Sequence, residues 1–146
     1  FVYATSGHGD GDGFGSSYLC QWDCSGSAGC YYDTEIQADL ATCAAYRIFV
    51  FIDHCFSGGI GPELMSMPNS LRVYCTTTCT ENGYGYDVPA YLNGAWTYWY
   101  LEWGWVNANG PLDAEGNFAA ADAQYNPGGG DEPMQFDGDA ANLFYL

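Results

Sequence analysis

Cys55 and His8 are the residues of this chain best suited to nucleophilic chemistry. Each stands just past the carboxyl end of an apolar run. Phe1-Val2-Tyr3-Ala4-Thr5 leads into Ser6-Gly7-His8-Gly9, and Arg47-Ile48-Phe49-Val50-Phe51-Ile52 leads into Asp53-His54-Cys55-Phe56-Ser57-Gly58-Gly59. A thiol needs a neighbouring imidazole to become a thiolate at neutral pH and to protonate a leaving amine. The backbone amides of Gly9 and Cys55 are candidate donors to the oxyanion of a tetrahedral intermediate. Gly7 and Gly9 let the chain turn tightly beside His8, while Gly58 and Gly59 let a substrate backbone approach Cys55. His54 is a second candidate base, but as the chain neighbour of Cys55 it should point elsewhere, and it ranks below His8. Taken singly, Cys55 reads as a structural or disulfide-bonded cysteine and His8 as an ordinary loop histidine. The two strand ends together carry the catalytic reading.

These side chains need a scaffold that brings two strand ends side by side. Residues 1–5 read as a short buried strand, and the Gly-, Ser- and Asp-rich residues 6–32 as a long surface loop. Asp33-Thr34-Glu35-Ile36-Gln37 reads as a helix start, with Thr34 as cap and Gln37 reaching back to it. Ile36, Leu40 and Ala44 share a face at helical spacing, and the helix should end near Tyr46. The unbroken apolar run 48–52 predicts a central parallel strand covered on both faces. A short helix follows near 62–66, a third strand at 71–75, and a Gly- and Tyr-rich loop at about 76–92. Helices are predicted over 94–106, with Trp96, Tyr100, Trp103 and Trp99 packing inward, and over 113–125. The tail 126–146, with Gly128-Gly129-Gly130, reads as irregular. This order predicts one α/β domain over 1–146 with a mostly parallel sheet, and ligands bind such sheets beyond the carboxyl ends of the strands. Three strands make a thin sheet and the chain opens directly on a strand. The reading is therefore a mature or internal fragment whose first strands lie upstream or come from another chain.

Composition narrows the partners. The 146 residues carry 18 acidic and only 2 basic side chains besides histidine, Arg47 and Arg72, for a net charge of −16. Such a surface repels phosphate backbones and anionic lipid, so nucleic acid and membrane surfaces are poor partners, whereas cations and basic peptides are good ones. No apolar run is long enough to span a bilayer. Seven cysteines without a Cys-x-x-Cys pair point to disulfides in an oxidising, extracellular compartment rather than to zinc. The odd count leaves one thiol, and Cys55 is the expected one. Cys75 and Cys79 are near enough in sequence to staple one loop.

Ser6-Gly7-His8-Gly9 and Asp53-His54-Cys55-Phe56-Ser57-Gly58, with His8 and Cys55 47 positions apart, resemble the paired motifs of the caspase, metacaspase, legumain and gingipain group of cysteine peptidases. Val73 to Thr78, Gly85-Tyr86-Asp87 and Gly94-Ala95-Trp96-Thr97 resemble, more loosely, the segments that wall the legumain-like specificity pocket. The likeness covers roughly residues 1–105. It implies a caspase-like three-layer sandwich that lacks its first strands. It also implies acyl transfer through a thioester on Cys55, with His8 as proton carrier and Gly9 at the oxyanion. By the same resemblance Asp53, Asp87 and Thr76 bind the substrate, with the two carboxylates favouring Arg or Lys at the cleaved position. The legumain preference for Asn is a lesser expectation.

Asp10-Gly11-Asp12-Gly13 offers hard oxygen ligands on a glycine-rich turn and is a candidate Ca²⁺ site, although later EF-hand positions are absent. An ordinary acidic turn accounts for the same residues, and no cofactor is otherwise required. The rival to a peptidase is an extracellular structural or filament-forming subunit that keeps such a fold, with self-assembly completing the sheet. Aromatic content alone, with 13 Tyr and 5 Trp, gives a weaker case for a carbohydrate-binding module.

Overall fold

The computed structural model describes residues 1–25, 28–125 and 132–145. In chain order the elements are β1 (Val2–Ser6), β2 (Gly9–Gly11), β3 (Ser17–Ser25), β4 (Ala28–Tyr32), α1 (Asp33–Ala41), β5 (Ile48–Asp53), α2 (Ile60–Met65), β6 (Val73–Thr77), β7 (Asp87–Val88), β8 (Asn93–Gly94), a π-helix (Thr97–Val106), α3 (Ala114–Asp122) and β9 (Met134–Asp137).

Every residue of β5 is buried, as its unbroken apolar sequence demands. Strand side chains alternate between faces, so Ile48, Val50 and Ile52 point one way and Phe49 and Phe51 the other. The first set packs with Ile36 and Leu40 of α1 and Ile60 and Leu64 of α2. The second packs with Trp96, Tyr100, Phe118 and Ala121 around the π-helix and α3. Burying each such side chain stabilises the fold by roughly 1.5–3 kcal/mol. The main sheet runs β1-β5-β6-β9, with β1 and β6 parallel to β5 and β9 antiparallel to β6. The result is a mixed α/β domain with a mostly parallel sheet covered by helices on both faces.

Several segments differ from the sequence reading. The stretch 6–32 is not a loop: β2, β3 and β4 form a three-stranded antiparallel sheet there. Its residues are too polar to look like strands: among the described residues Leu19 is buried in the core and Tyr31 packs against it half-buried. The tail is not wholly irregular either, since β9 supplies a fourth strand to the main sheet. Phe136 of β9 lies against Gly61 of α2, where any side chain would collide with its ring. Residues 126–131 and the side chain of Cys24 lie outside the described residues. β1 sits at an edge rather than in the core, with Phe1 and Val2 exposed.

Two helices differ in detail. α1 ends at Ala41, which leaves Ala44 exposed beyond it. Glu35 rather than Gln37 reaches back, accepting from the Tyr32 amide at 2.9 Å, while Gln37 turns to the Glu63 carbonyl at 2.9 Å. The segment after Trp96 widens into a π-helix, closed by an i→i−5 bond from Asn107 N–H to Glu102 O at 2.8 Å. That register sends Trp105, not Trp103, onto Phe49 and Tyr100, at ring distances of 5.2 and 4.9 Å. No described helix is long and apolar enough to cross a membrane.

Candidate active site

β1 and β5 run in parallel with Ser6 opposite Asp53, so their carboxyl ends finish flush. The chain leaving β1 must turn at once, and it does so through Gly7, whose φ of 156° suits glycine. Gly7 N–H donates to the Asp53 carbonyl at 3.2 Å, tying the two strand ends together. Gly9 opens β2 against the Cys55 backbone, so close that a Cβ there would strike the Cys55 carbonyl. The expected neighbours Gly9 and Cys55 are thus in contact.

His8 and Cys55 line one small cleft of about 160 Å³, together with Asp53, Gly85, Tyr86 and Asp87. The His8 ring is exposed and Cys55 is half-buried. Cys55 is in no disulfide; its thiol donates to the Gly85 carbonyl at 3.7 Å. Phe56, the next residue, adopts the left-handed φ of 59°, an uncommon conformation for a bulky side chain. Its amide is held by the Gly83 carbonyl at 2.9 Å, and its ring packs edge-on against Tyr84 at 5.3 Å. The loop 83–86 therefore grips the turn that carries the thiol. A strained backbone directly after a half-buried cysteine, in a cleft shared with an imidazole, is suited to nucleophilic chemistry.

Asp53 is only 5 % exposed. Its Oδ2 accepts from Thr97 N–H at 2.9 Å and from Thr97 Oγ1 at 2.6 Å. Burial pushes its carboxyl pKa upward, against the pull of these donors and of His54. Gly94 abuts the same carboxylate, where a side chain would displace it. Asp87 is the more available acid. It is exposed on β7 and also borders a neighbouring cleft of about 410 Å³ formed with Ser6, Val88, Pro89, Leu92 and Thr97.

The other expected site residues lie elsewhere. Thr76 is wholly buried in β6, where its hydroxyl accepts from Trp96 Nε1 at 3.1 Å. It is a core residue, away from the cleft, because the strand face it occupies is covered by the aromatic helix. Asp10 accepts from Gly11 N–H at 2.8 Å and Tyr18 OH at 3.1 Å. Asp12 accepts from Phe14 N–H at 2.8 Å and Ser16 N–H at 3.1 Å, bonds that hold its carboxyl below its ordinary pKa. Both acids thus bond within their own hairpin, and among the described residues no group of three or more His, Cys, Asp or Glu is gathered to hold a metal. Cys75 is buried in β6 with its thiol pKa pushed above the usual range by burial, and it forms no staple to Cys79. Cys79 Sγ instead donates to the His54 carbonyl at 3.3 Å.

Gly85, Tyr86 and Thr97 enter the sequence reading only inside the segments that resemble a pocket wall, with no role of their own; the structure sets Gly85 and Tyr86 in the cleft and Thr97 on Asp53. The alternating Gly83-Tyr84-Gly85-Tyr86 was the available sign of a close-fitting loop, but nothing in sequence pairs Thr97 with Asp53.

No family model and no curated protein matches the sequence. Among solved structures the chain is similar to protein GSU0716 from Geobacter sulfurreducens, with a TM-score of 0.57 and 19% sequence identity, covering 94% of this chain and 66% of that one. At that identity the likeness extends to the fold alone, and this chain spans about 66% of the length of its neighbour.

Proposed function

We propose that this protein is a cysteine endopeptidase of the caspase-like group, working by acyl transfer on Cys55. The observation that supports this most is the delivery of His8 and Cys55 to one cleft from adjacent parallel strands. In the first step the Cys55 thiol passes its proton to His8, and the thiolate forms a bond to the peptide carbonyl carbon. The tetrahedral oxyanion is met by the amides of Gly9 and Cys55. Collapse breaks the C–N bond as His8 returns the proton to the leaving amine. Water then attacks the thioester, giving one proton to His8, and the thiol is restored as the acid leaves.

Arg or Lys at the cleaved position is the preferred substrate class. The support is Asp87, exposed where the catalytic cleft meets its apolar-walled neighbour. A long side chain can lay its methylenes along Val88 and Pro89 while its charge meets that carboxylate. Asp53 contributes its charge from beneath, since its Oδ2 is already engaged by the Thr97 amide and hydroxyl.

The test is hydrolysis of fluorogenic peptides ending in Arg, Lys or Asn, with and without Ca²⁺, beside Cys55→Ala. Turnover after Arg or Lys that vanishes in the variant supports the reading. Absence of turnover together with no labelling of Cys55 by a thiol-directed peptide inhibitor sinks it.

An oxidising, extracellular setting fits the cysteines. Cys20 and Cys30 are directly opposed across β3 and β4. Cys20 N–H donates away from β4, to the His8 carbonyl at 2.8 Å, so the cysteines form a non-hydrogen-bonded pair. Such pairs have Cα atoms roughly 4.5 Å apart, within disulfide range. A second reading, an assembly subunit, draws on β1, which among the described residues is one of the two edge strands of the main sheet, with Phe1 and Val2 exposed. A concentration-dependent molar mass in light scattering, with no peptidase activity, favours that reading.

A further inference from the structure

His54 is only 3% exposed and is absent from the walls of the catalytic cleft, so the peptidase reading leaves it without a chemical task. Its surroundings assign one. One ring nitrogen, Nδ1, lies 2.7 Å from the His8 carbonyl oxygen, and the other, Nε2, lies 2.9 Å from Thr5 Oγ1. A carbonyl only accepts, so Nδ1 must carry the proton. The neutral ring then accepts the Thr5 hydroxyl proton at Nε2. Both nitrogens are satisfied by the strand and turn that lead to the catalytic histidine.

The turn is wrapped on this ring. A Cβ at Gly7 would press on His54 Cε1 at 3.3 Å, and one at Gly9 would press on His54 Cβ at 3.1 Å. The glycines flanking His8 therefore leave room for the imidazole beneath it. The His8 carbonyl also receives Cys20 N–H at 2.8 Å, so two donors, one from each side, fix the peptide that carries the catalytic ring. The titratable groups facing His54 are Asp53, which favours its cation, and His8, whose own cation would oppose it. Burial is the largest influence and lowers its pKa, keeping the ring neutral.

We propose that His54 is the positioning residue of this site: a neutral, Nδ1-protonated imidazole that holds the His8 carbonyl and so aims the His8 ring at Cys55. The proposal rests on the peptidase reading for its catalytic consequence but not for its geometry.

With only two histidines in the chain, nitrogen-15 NMR resolves both rings without ambiguity. In the wild-type protein one ring, His54, should show the Nδ1–H tautomer at pH 7, and the other should be His8. An Nε2–H tautomer for His54 overturns the proposal whether or not the protein cleaves peptides. The catalytic arm compares His54→Phe, which keeps a ring but no donor, with His54→Asn, whose amide retains a donor near Nδ1. His54→Phe should lower kcat roughly 10- to 100-fold with KM little changed, as expected when a reacting group is misplaced. His54→Asn should recover most of the loss. Equal kcat in wild type and His54→Phe overturns the positioning role. Should the wild type cleave nothing, the peptidase reading fails and the rate of Cys55 alkylation by iodoacetamide, resolved by peptide mass spectrometry, replaces kcat as the readout. An unchanged alkylation rate in His54→Phe then overturns the proposal as well.

Discussion

At the residue scale, the site is built on two buried titratable groups with opposite pH behaviour. His54 has a lowered folded-state pKa because burial disfavours its cation. Its contribution to stability is therefore fully present above the unfolded value of about 6.5 and is lost as pH falls through the folded value. Asp53 has a raised folded-state pKa, again from burial. Its contribution is fully present below about 3.9 and is lost as pH rises through its folded value. Urea denaturation at stepped pH below 6.5 should show wild-type stability falling relative to His54→Asn, with a slope of at most about 1.4 kcal/mol per pH unit. Identical pH slopes in the two proteins would mean that His54 ionises freely in the fold. Thr97→Val tests the other group. It removes the hydroxyl that donates to Asp53 at 2.6 Å, and the loss should be about 1–3 kcal/mol by chemical denaturation.

At the element scale, polar and glycine-rich segments do much of the positioning. The antiparallel sheet of β2, β3 and β4 brings Cys20 to the His8 carbonyl and Ser17 to the turn after Cys55, where Ser17 Oγ donates to the Phe56 carbonyl at 2.8 Å. Its own anchor is Asp33 at the start of α1, which accepts from Ser17 N–H at 2.7 Å. Oxidation by a small-molecule disulfide should couple Cys20 to Cys30, with two protons and two electrons passing to the oxidant. Non-reducing peptide mapping checks this, and detection of both peptides only as separate thiols after oxidation counts against it. The hairpin of β7 and β8 depends on the absence of a side chain at Gly94. Gly94→Ala should push the Asp53 carboxylate off Thr97 and lower the melting temperature measurably by calorimetry.

At the scale of the whole molecule, two apolar layers sandwich β5 while the surface carries a large negative charge. Phe51 is 1% exposed in the aromatic layer, 5.8 Å from the Tyr100 ring. Phe51→Ala should cost about 3–5 kcal/mol, read from urea midpoints, a loss on the scale of a whole domain's margin. A net charge of −16 makes the folded state self-repelling. Raising monovalent salt from about 20 to 200 mM shortens the Debye length and should raise the melting temperature. A flat salt response would show that the acids are already locally compensated.

The sequence by itself determined the parts that rest on local pattern. The unbroken run Ile48 to Ile52 can only be comfortable between two apolar layers, and it is the central strand. His8 and Cys55 follow strand ends by their position in the chain, so parallel pairing brings them together. Asp113 caps α3 by accepting from Gly116 N–H at 2.7 Å, close to the predicted helix start. Tertiary structure decided what depends on distant partners. The strands within 6–32 are held by pairing rather than by apolar alternation, and β9 is a strand because β6 offers it an edge. Thr76 was drawn into the core by the Trp96 indole, twenty positions along the chain. His54, which reads in sequence as a spare base, became a strut because burial and two distant acceptor and donor groups took both of its nitrogens. Spacing reveals which residues can meet; only the packed structure sets which hydrogen bonds each has left to give.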